Sequence, residues 1–311
     1  MTIRKALGIS PMIDMAFKKS FATLGNEVAL ISLLNAFLKL PVPIVEVTVV
    51  NPYNLKDFES DKLSILDIKA TDARKTVYHI EMQLTMYRGM VQRIVFYGCE
   101  LYAGQLKEGE NYTELAPVYS ISIINGILWK DAKNPAKVHQ RFRFCDVESG
   151  RVLENTVEIH TLELGRYTLT EADLKTASVE DCWLYWLLHA HEYEAGDLLK
   201  LFPEEAFQTA TRSIIEIAEK TEDKAMYDAR EKATRDYQTA IASTAQDSRL
   251  EGRLEGRLEG RQEGELIGQI VILQELLGVA EPKRDDLSGY EITQLTELAK
   301  RLSLQLRSRG N

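Results

Sequence analysis

A nearly unbroken apolar segment, Val118 to Trp129, constrains the fold of this chain more than any other feature. Such a run is typical of a strand that is covered on both faces. The segment Met86 to Lys107 before it has the length and apolar spacing of a long helix, and further strands are expected near Arg141–Val147 and Thr156–Leu164. This order of elements predicts an α/β fold, with a sheet between helices.

The N-terminal segment predicts a helix followed by a strand. Apolar side chains recur at spacings of three and four over residues 12–40, and a Pro-Val-Pro segment then ends the helix. Ile44 to Val50 is rich in Val and Ile and predicts a strand, which Asn51-Pro52 breaks.

From Thr170 onward the chain is predicted to be helical. Trp183 and Trp186, with neighbouring apolar residues, indicate a helical cap whose aromatic side chains belong to the core. Residues 213–247 alternate charged residues with Ala and Ile, which is typical of a long solvated helix.

A four-residue repeat then follows. Leu-Glu-Gly-Arg begins at Leu250, recurs at Leu254 and Leu258, and has decayed by Leu266. Four residues advance about 400° along an α-helix, so each residue type forms a slowly winding stripe. Glycine costs about 1 kcal/mol per helical position, so the segment is weak as an isolated helix. Two alternatives stay open: an oligomerisation or spacer helix, and a low-complexity linker.

These patterns predict three parts of the chain. Residues 1–245 form the main domain with its helical cap, residues 246–269 form the repeat as a linker or helix, and residues 270–311 form a small helical module. Within the last two parts, helices are expected at Ile267–Leu277 and Tyr290–Leu304.

Composition excludes several classes of protein. With 45% hydrophobic residues the chain can build a sizeable core. The most apolar window, residues 29–45, is interrupted by Asn35, Lys39 and two prolines, so no membrane span is expected. Three scattered cysteines suit neither a disulfide framework nor a Cys-rich zinc site, and no secretory signal is visible. We therefore expect a cytoplasmic protein.

The net charge of −9 argues at first against a nucleic-acid partner. Its distribution weakens that argument, because residues 1–110 carry 13 basic and 12 acidic side chains, whereas residues 111–311 carry 25 and 35. The acidity thus belongs to the C-terminal two thirds of the chain. A site that holds a metal ion also needs acids, so net charge alone decides little.

The chemistry of the chain is concentrated on two strands, Leu63–Ala70 and Thr76–Leu84, which a five-residue hairpin loop connects. This loop pairs Asp67 with His79. Because strand side chains alternate between faces, the polar residues of both strands share one face and the apolar residues share the other. The polar face carries Asp67, Lys69, His79, Glu81 and Gln83.

Asp67 and Glu81 are diagonal neighbours in this pairing, with Cα atoms about 7–8 Å apart. One hard cation such as Mg²⁺ fits between them, and it would polarise a phosphoryl oxygen and lower the pKa of a bound water. The amide of Gln83 could orient that water or bind the scissile phosphate. His79 is interpreted as a half-buried strand histidine. The alternative interpretation is a polar face of an edge strand that merely contacts solvent.

Several motifs resemble those of one known family, the Rpn-type recombination-promoting nucleases, which are transposase-like members of the PD-(D/E)XK superfamily. The resemblance covers nearly the whole chain in order and spacing. It rests on Asp14-Met-Ala-Phe17-Lys18-Lys-Ser-Phe21, Ser64-Ile-Leu-Asp67-Ile-Lys-Ala, Val77-Tyr-His-Ile-Glu81-Met-Gln83, Arg93-Ile-Val-Phe-Tyr97, Leu101-Tyr102-Ala-Gly-Gln105-Leu106 and Val157-Glu-Ile-His160.

This resemblance implies a restriction-endonuclease-like core, in which a mixed sheet is flanked by helices, with a helical C-terminal extension. It also implies that Asp67 and Glu81 are the two active acids, which hold Mg²⁺ or, as the alternative, Mn²⁺. Gln83 then stands where the superfamily usually has a lysine. Lys69, on the same strand face, either replaces that lysine or solvates the strand edge.

The remaining candidates each have two interpretations. Asp14 either reaches the metal site or caps the first helix, and capping is favoured. Lys18 either contacts a phosphate or is a solvated charge. Arg93, Tyr97 and Gln105 recur at multiples of four residues and either face the site to bind the DNA backbone or include a buried Tyr–Arg contact.

The resemblance implies a metal-dependent DNA endonuclease that hydrolyses phosphodiester bonds and is linked to DNA recombination or mobile elements. DNA is the expected partner, together with a second copy of the chain through the C-terminal region. The alternative is a non-catalytic scaffold or interaction protein with a degenerate nuclease fold. The glutamine in the lysine position and the acidic C-terminal portion favour that alternative.

Overall fold

The computed structural model describes residues 6–55, 67–130, 137–278, 287 and 289–309. Two compact units are present, residues 1–238 and residues 239–311. The helices are α1 (Asp14–Ala22), α2 (Glu27–Leu38), α3 (Met90–Ala103), α4 (Val179–His189), α5 (Ala195–Leu201), α6 (Glu205–Glu219), α7 (Thr221–Leu276) and α8 (Ile292–Arg309). The strands are β1 (Thr48–Val49), β2 (Asp67–Thr71), β3 (Val77–Gln83), β4 (Val118–Ile124), β5 (His139–Arg143) and β6 (Val157–Glu163).

The first unit is built on a six-stranded sheet with the order β1-β2-β3-β4-β6-β5. The central strands β3, β4 and β6 run parallel, and the remaining pairs are antiparallel. Parallel neighbours need a crossover connection, and α3 supplies it between β3 and β4. The predicted α/β architecture, a mixed sheet flanked by helices, is confirmed.

Helices cover both faces of this sheet. On one face the main core gathers α1, α2, α4 and α6 around the buried rings of Phe21, Trp183 and Trp186, so the two tryptophans belong to the core as predicted. On the other face α3 lies against β6. A Cβ atom at Gly98 would approach Cγ1 of Val157 to 3.1 Å, so this position favours glycine.

The single helix predicted over residues 12–40 is wrong. It is divided into α1 and α2, whose axes differ by 102°. Gly25 has φ +94°, and the Asn26 amide donates to the carbonyl oxygens of Lys19 and Ser20, so the chain turns sharply there. Leu24, which continued the apolar spacing, is 72% exposed. No single described helix is long and apolar enough to cross a membrane.

Most predicted strands are present but shorter. The segment Ile44–Val50 contributes only β1, which pairs with Ala70 and Thr71 at the end of β2. The apolar segment Val118–Trp129 ends as a strand at Ile124. Residues 63–66 of the strand expected before Asp67 lie outside the described part of the chain.

The predicted hairpin register is wrong by two residues. Asp67 lies opposite Glu81 instead of His79, and Thr71 lies opposite Val77. The cause is the turn, where the Asp72 carboxylate accepts the backbone N–H of Thr76 at 2.9 Å and Lys75 adopts a positive φ of 64°. A shift of two residues preserves the faces of both strands, so Asp67 and Glu81 still share one face.

The C-terminal helices also differ from the prediction. Residues 213–247 are not one solvated helix, because α6 ends at Glu219 and α7 begins at Thr221. Tyr227 and Arg230 of α7 are 1% and 4% exposed. The repeat at residues 250–269 is helical throughout as part of α7. In the second unit, Ile270, Leu295, Ala299 and neighbouring apolar side chains form a separate small core.

Candidate functional site

A cavity of about 620 Å³ opens over the polar face of β2 and β3. The beginning of α1, one side of α3 from Arg93 to Leu101, and Thr234 and Tyr237 of α7 complete its wall. Seven of the sequence-predicted residues line this cavity: Asp14, Asp67, Lys69, Glu81, Gln83, Arg93 and Tyr97.

Asp67 and Glu81 are direct cross-strand partners in this cavity. Side chains directly opposite on antiparallel strands have Cβ atoms about 4.5–5.5 Å apart, closer than the diagonal arrangement predicted from the sequence. Asn51 fixes the backbone of β2 directly after Asp67, since its side-chain amide donates to the Asp67 carbonyl and accepts the N–H of Lys69, both at 2.8 Å. The sheet edge therefore presents the two carboxylates as a pre-formed pair.

The Asp67 carboxylate is held in its charged form. His79 Nε2 lies 3.2 Å from Oδ2 of Asp67, and Lys69 Nζ lies 3.5 Å from the same oxygen. Burial opposes the charged form, but the hydrogen bond and charge of His79, together with the charge of Lys69, lower the pKa of Asp67 to about 2. Asp67 is thus an anion at any pH near neutrality.

Glu81 is paired with Arg93, which reaches it from the first turn of α3. The guanidinium donates to Oε1 of Glu81 at 2.6 Å and lies over the ring of Tyr97, 4.8 Å from its centroid. Burial disfavours this charge, yet the hydrogen bond to Glu81 raises the pKa of Arg93 above its usual value. Within the part of the chain that the structure describes, its buried Nε atom has no hydrogen-bond partner, so the guanidinium retains capacity for another acceptor.

Gln83 lies at the end of β3, two residues beyond Glu81 on the same face. Its Nε2 donates to the carbonyl oxygen of Thr85 at 2.8 Å. This bond fixes the amide at the cavity wall. A glutamine remains neutral, so it adds hydrogen-bonding capacity to the site without the positive charge of a lysine.

Asp14 is the first helical residue of α1, directly after the N-cap position Ile13. Its Oδ1 accepts the backbone N–H of Met15 at 2.6 Å, so the carboxylate contacts the N-terminus of the helix without occupying the N-cap position. Its carboxylate forms a buried ion pair with Arg230 of α7, whose Nε lies 2.9 Å from Oδ2. Asp14 lines the same cavity as Asp67 and Glu81. Asp14, Asp67 and Glu81 therefore each have a basic partner.

Two further candidates lie away from the cavity. Lys18 is 1% exposed, so its interpretation as a solvated charge is wrong. The side chain of Gln105 is occupied by the backbone of Ala116, donating to its carbonyl at 2.9 Å and accepting its N–H at 3.0 Å. Gln105 thus positions the entry to β4 and does not face the site.

Sequence reasoning undervalued three groups of the site. His79 is 3% exposed instead of half-buried, and it connects Asp67 to Ser120, whose hydroxyl lies 3.2 Å from Nδ1. The Asn51-Pro52 pattern indicates only the end of a strand and gives no sign that the Asn51 side chain holds β2. Tyr237 and Thr234 come from a helix that is more than 130 residues distant from β3, so no local pattern could place them in the cavity.

The donor chemistry of the site fits magnesium. Within the described ranges, no group of three or more His, Cys, Asp or Glu side chains is placed to hold a metal ion, so a closed zinc-type centre is not present there. Magnesium is typically held by one or two carboxylates, with waters and substrate phosphates completing its shell. Asp67 and Glu81 supply two such carboxylates at an open cavity.

Comparison with known proteins agrees with this geometry. The family described as PD-(D/E)XK nuclease family transposase matches residues 11–244 of the chain, which includes every residue of the cavity. Searches of curated proteins and of solved structures found no match.

Proposed function

We propose that this chain, which belongs to the PD-(D/E)XK nuclease family transposases, is a metal-dependent DNA endonuclease that cuts at the cavity over β2 and β3. The observation that carries the proposal is the direct opposition of Asp67 and Glu81 on one strand face within that cavity. We further propose that the activity serves recombination or the movement of DNA elements.

Asp67 and Glu81 are the residues that would hold Mg²⁺, with Mn²⁺ as the alternative ion. When bound, such an ion polarises the scissile phosphate and lowers the pKa of a water molecule. The low pKa of Asp67 supports this role, because a carboxylate must be ionised to bind a hard cation. Glu81 can bind the ion once Arg93 leaves the Glu81 carboxylate and pairs with another anion.

Arg93 and Lys69 are the cations that would receive the DNA backbone. A phosphodiester offers anionic oxygens, and Arg93 has an unpartnered buried Nε in the cavity. Lys69 is 40% exposed at its side chain and lies beside Asp67, so its ammonium can reach a phosphate. We propose that Lys69 takes the place of the lysine that Gln83 replaces. Gln83 then orients the water or the phosphate by hydrogen bonding.

The Glu81–Arg93 pair also favours a second candidate, a non-catalytic DNA-binding or scaffold protein of the same fold. In that case the 2.6 Å ion pair is the permanent state of Glu81, and the acids no longer serve a metal ion. Binding of Mg²⁺ to the native state distinguishes the two functions, because a ligand that binds only the folded protein stabilises it by mass action.

The test is incubation of the purified chain with supercoiled plasmid, with and without Mg²⁺ or Mn²⁺. Wild-type protein is expected to nick or linearise the plasmid only with the ion present. Glu114→Gln is a matched control, since Glu114 is an exposed acid of the same unit that pairs only loosely with Lys75 at 3.9 Å. If wild-type protein neither cuts DNA nor is stabilised by either ion, the scaffold function replaces the endonuclease.

A further inference from the structure

The repeat in α7 presents an apolar ridge to solvent. Leu250, Leu254 and Leu258 are 57%, 54% and 69% exposed. Their four-residue spacing advances each leucine by about 40°, so the three lie within about 80° of one helix face. A contiguous face of that width is what a helix normally buries against another element. The glycines of the repeat lie on the far side, and a Cβ at Gly252, Gly256 or Gly260 would meet no atom within 4 Å.

The charges of the repeat are arranged against the stability of a lone helix. Arg253 and Arg257 are four residues apart, as are Glu251 and Glu255, so each stripe places like charges on adjacent turns. Like charges at this spacing destabilise a helix, whereas opposite charges would stabilise it. Where the repeat decays, Arg261 does find an opposite charge at this spacing, Glu265 at 2.9 Å.

The two charged stripes flank the leucines on opposite sides. An arginine precedes each leucine and a glutamate follows it, so the two charges lie about 100° to either side of the leucine ridge. A partner helix that covers the leucines therefore meets a positive edge and a negative edge. The partner that fits has the same apolar ridge, with a negative edge that meets the positive edge of this helix and a positive edge that meets its negative edge.

We propose that the covering partner is a second copy of α7, packed in parallel through Leu250, Leu254 and Leu258. In a parallel pair, a two-fold axis along the helices sets the arginine edge of one copy against the glutamate edge of the other, on both sides of the ridge. In an antiparallel pair the symmetry sets arginine against arginine and glutamate against glutamate. Charged edges of this kind determine both partner choice and orientation in paired helices.

The contact is short and crossed. Ridges formed by residues four apart interdigitate at a crossing angle of about −50°, with helix axes about 8–10 Å apart. Three leucines on successive turns match a contact of that length. The cost of glycine in a helix is then offset by burial of the leucines.

Cysteine crosslinking of the full-length chain tests the orientation. Leu250→Cys and Leu258→Cys are each treated separately with a bis-maleimide whose span is about 8–10 Å, against the parent chain with its three native cysteines. A parallel pair yields a crosslinked dimer from each variant alone. A crosslinked dimer that forms only when the Leu250→Cys and Leu258→Cys variants are mixed would mean an antiparallel pair and would overturn the proposal.

Gly256→Cys is the control, because it lies about 200° from Leu254 on the same stretch of helix. Crosslinking of this variant as readily as the leucine variants would show random collision and reject the interface. Failure of both leucine variants to crosslink would also reject it.

Reversal of the charged edges tests the same contact without cysteine. Reversing Arg249, Arg253 and Arg257 to Glu in one chain, and Glu251, Glu255 and Glu259 to Arg in another, is expected to give two monomers by light scattering that form a dimer when mixed. Two variants that each remain dimeric would show that the charged edges do not form the contact.

Discussion

The sheet carries two networks of acids, histidines and basic side chains, and they differ in access. We call the first the site network: Asp67, Lys69, His79, Glu81 and Arg93 on β2, β3 and α3. The second is the edge network: His139, Arg141, Glu158, His160 and Glu180 on β5, β6 and α4. All five members of the site network line the cavity, and no member of the edge network does. The same chemistry therefore indicates a candidate site only where a substrate can reach it.

The edge network is a continuous chain of contacts, and Lys39 also joins it, with Nζ 2.5 Å from Oε2 of Glu180. Glu180 contacts Nδ1 of His139 at 2.7 Å, Nε2 of His139 contacts Nδ1 of His160 at 2.7 Å, and Nε2 of His160 contacts Glu158 at 2.8 Å. These contacts connect β5, β6 and α4 as a structural unit.

The largest expected contrast between the networks is in DNA cleavage. Asp67→Ala and Glu81→Ala should each abolish Mg²⁺-dependent nicking, beyond the roughly 10- to 100-fold loss that accompanies removal of an outer partner of a metal site. Glu158→Gln should leave the rate per folded molecule unchanged, because Glu158 lies outside the cavity. The measurement is plasmid nicking at matched concentrations of folded protein. Equal cleavage by wild type and Asp67→Ala would show that the site lies elsewhere.

Substitutions in the two networks should affect folding stability in the opposite order, with the larger loss in the edge network. Glu158→Ala removes the acceptor of the fully buried His160 and of Arg141, whose NH2 group lies 2.9 Å from Oε2. Breaking a buried ionic network of this kind costs on the order of 3 kcal/mol of unfolding free energy. Asp67→Ala should cost only about 1 kcal/mol, because Lys69 returns to solvent and only the bond to His79 is lost.

Urea unfolding at neutral pH measures both free energies. Glu114→Gln is again the control and should unfold like wild type, since its ion pair is exposed. A larger loss in Asp67→Ala than in Glu158→Ala would mean that the site network, and not the edge network, supports the sheet.

Acid should weaken both networks over a similar range of pH. Burial raises the pKa of Glu158, but hydrogen bonds from His160 and Arg141 outweigh it and lower that pKa to about 2, as for Asp67. A depressed folded-state pKa contributes stability that is complete above the unfolded value, about 4, and is lost as pH falls toward 2. The stability advantage of wild type over Glu158→Gln should therefore shrink between about pH 4 and pH 2. An advantage that persists at pH 2 would contradict the assigned pairing.

The sequence predicted the order of the elements and the shared face of Asp67 and Glu81, because both follow from period-two and period-3.6 patterns within single segments. It did not predict the hairpin register, since the Asp72 carboxylate that closes the turn acts through a side-chain bond. His139 and His160 of the edge network are 21 positions apart, and Asp14 and Arg230 are 216 positions apart. Such contacts depend on the packed fold and leave no local pattern.

The smallest expected effect compares two glutamines, one in each region of the sheet. Gln83 donates to the Thr85 carbonyl at the cavity wall, whereas Gln140 of β5 donates to the buried Glu163 at 2.6 Å. Gln83→Ala should slow cleavage by about 10-fold, less than loss of either acid, because Gln83 positions a group and does not hold the ion. Gln140→Ala should leave cleavage unchanged and lower the unfolding free energy by about 1–2 kcal/mol, because Glu163 loses a donor.

Gln83→Lys restores the charge that the superfamily usually places at this position. Combined with Lys69→Gln in a double variant, it should rescue the activity lost in Lys69→Gln alone if one cation near the phosphate suffices. Nicking rates of the four variants decide this, and a double variant no faster than Lys69→Gln alone would show that position 83 cannot deliver its charge to the substrate.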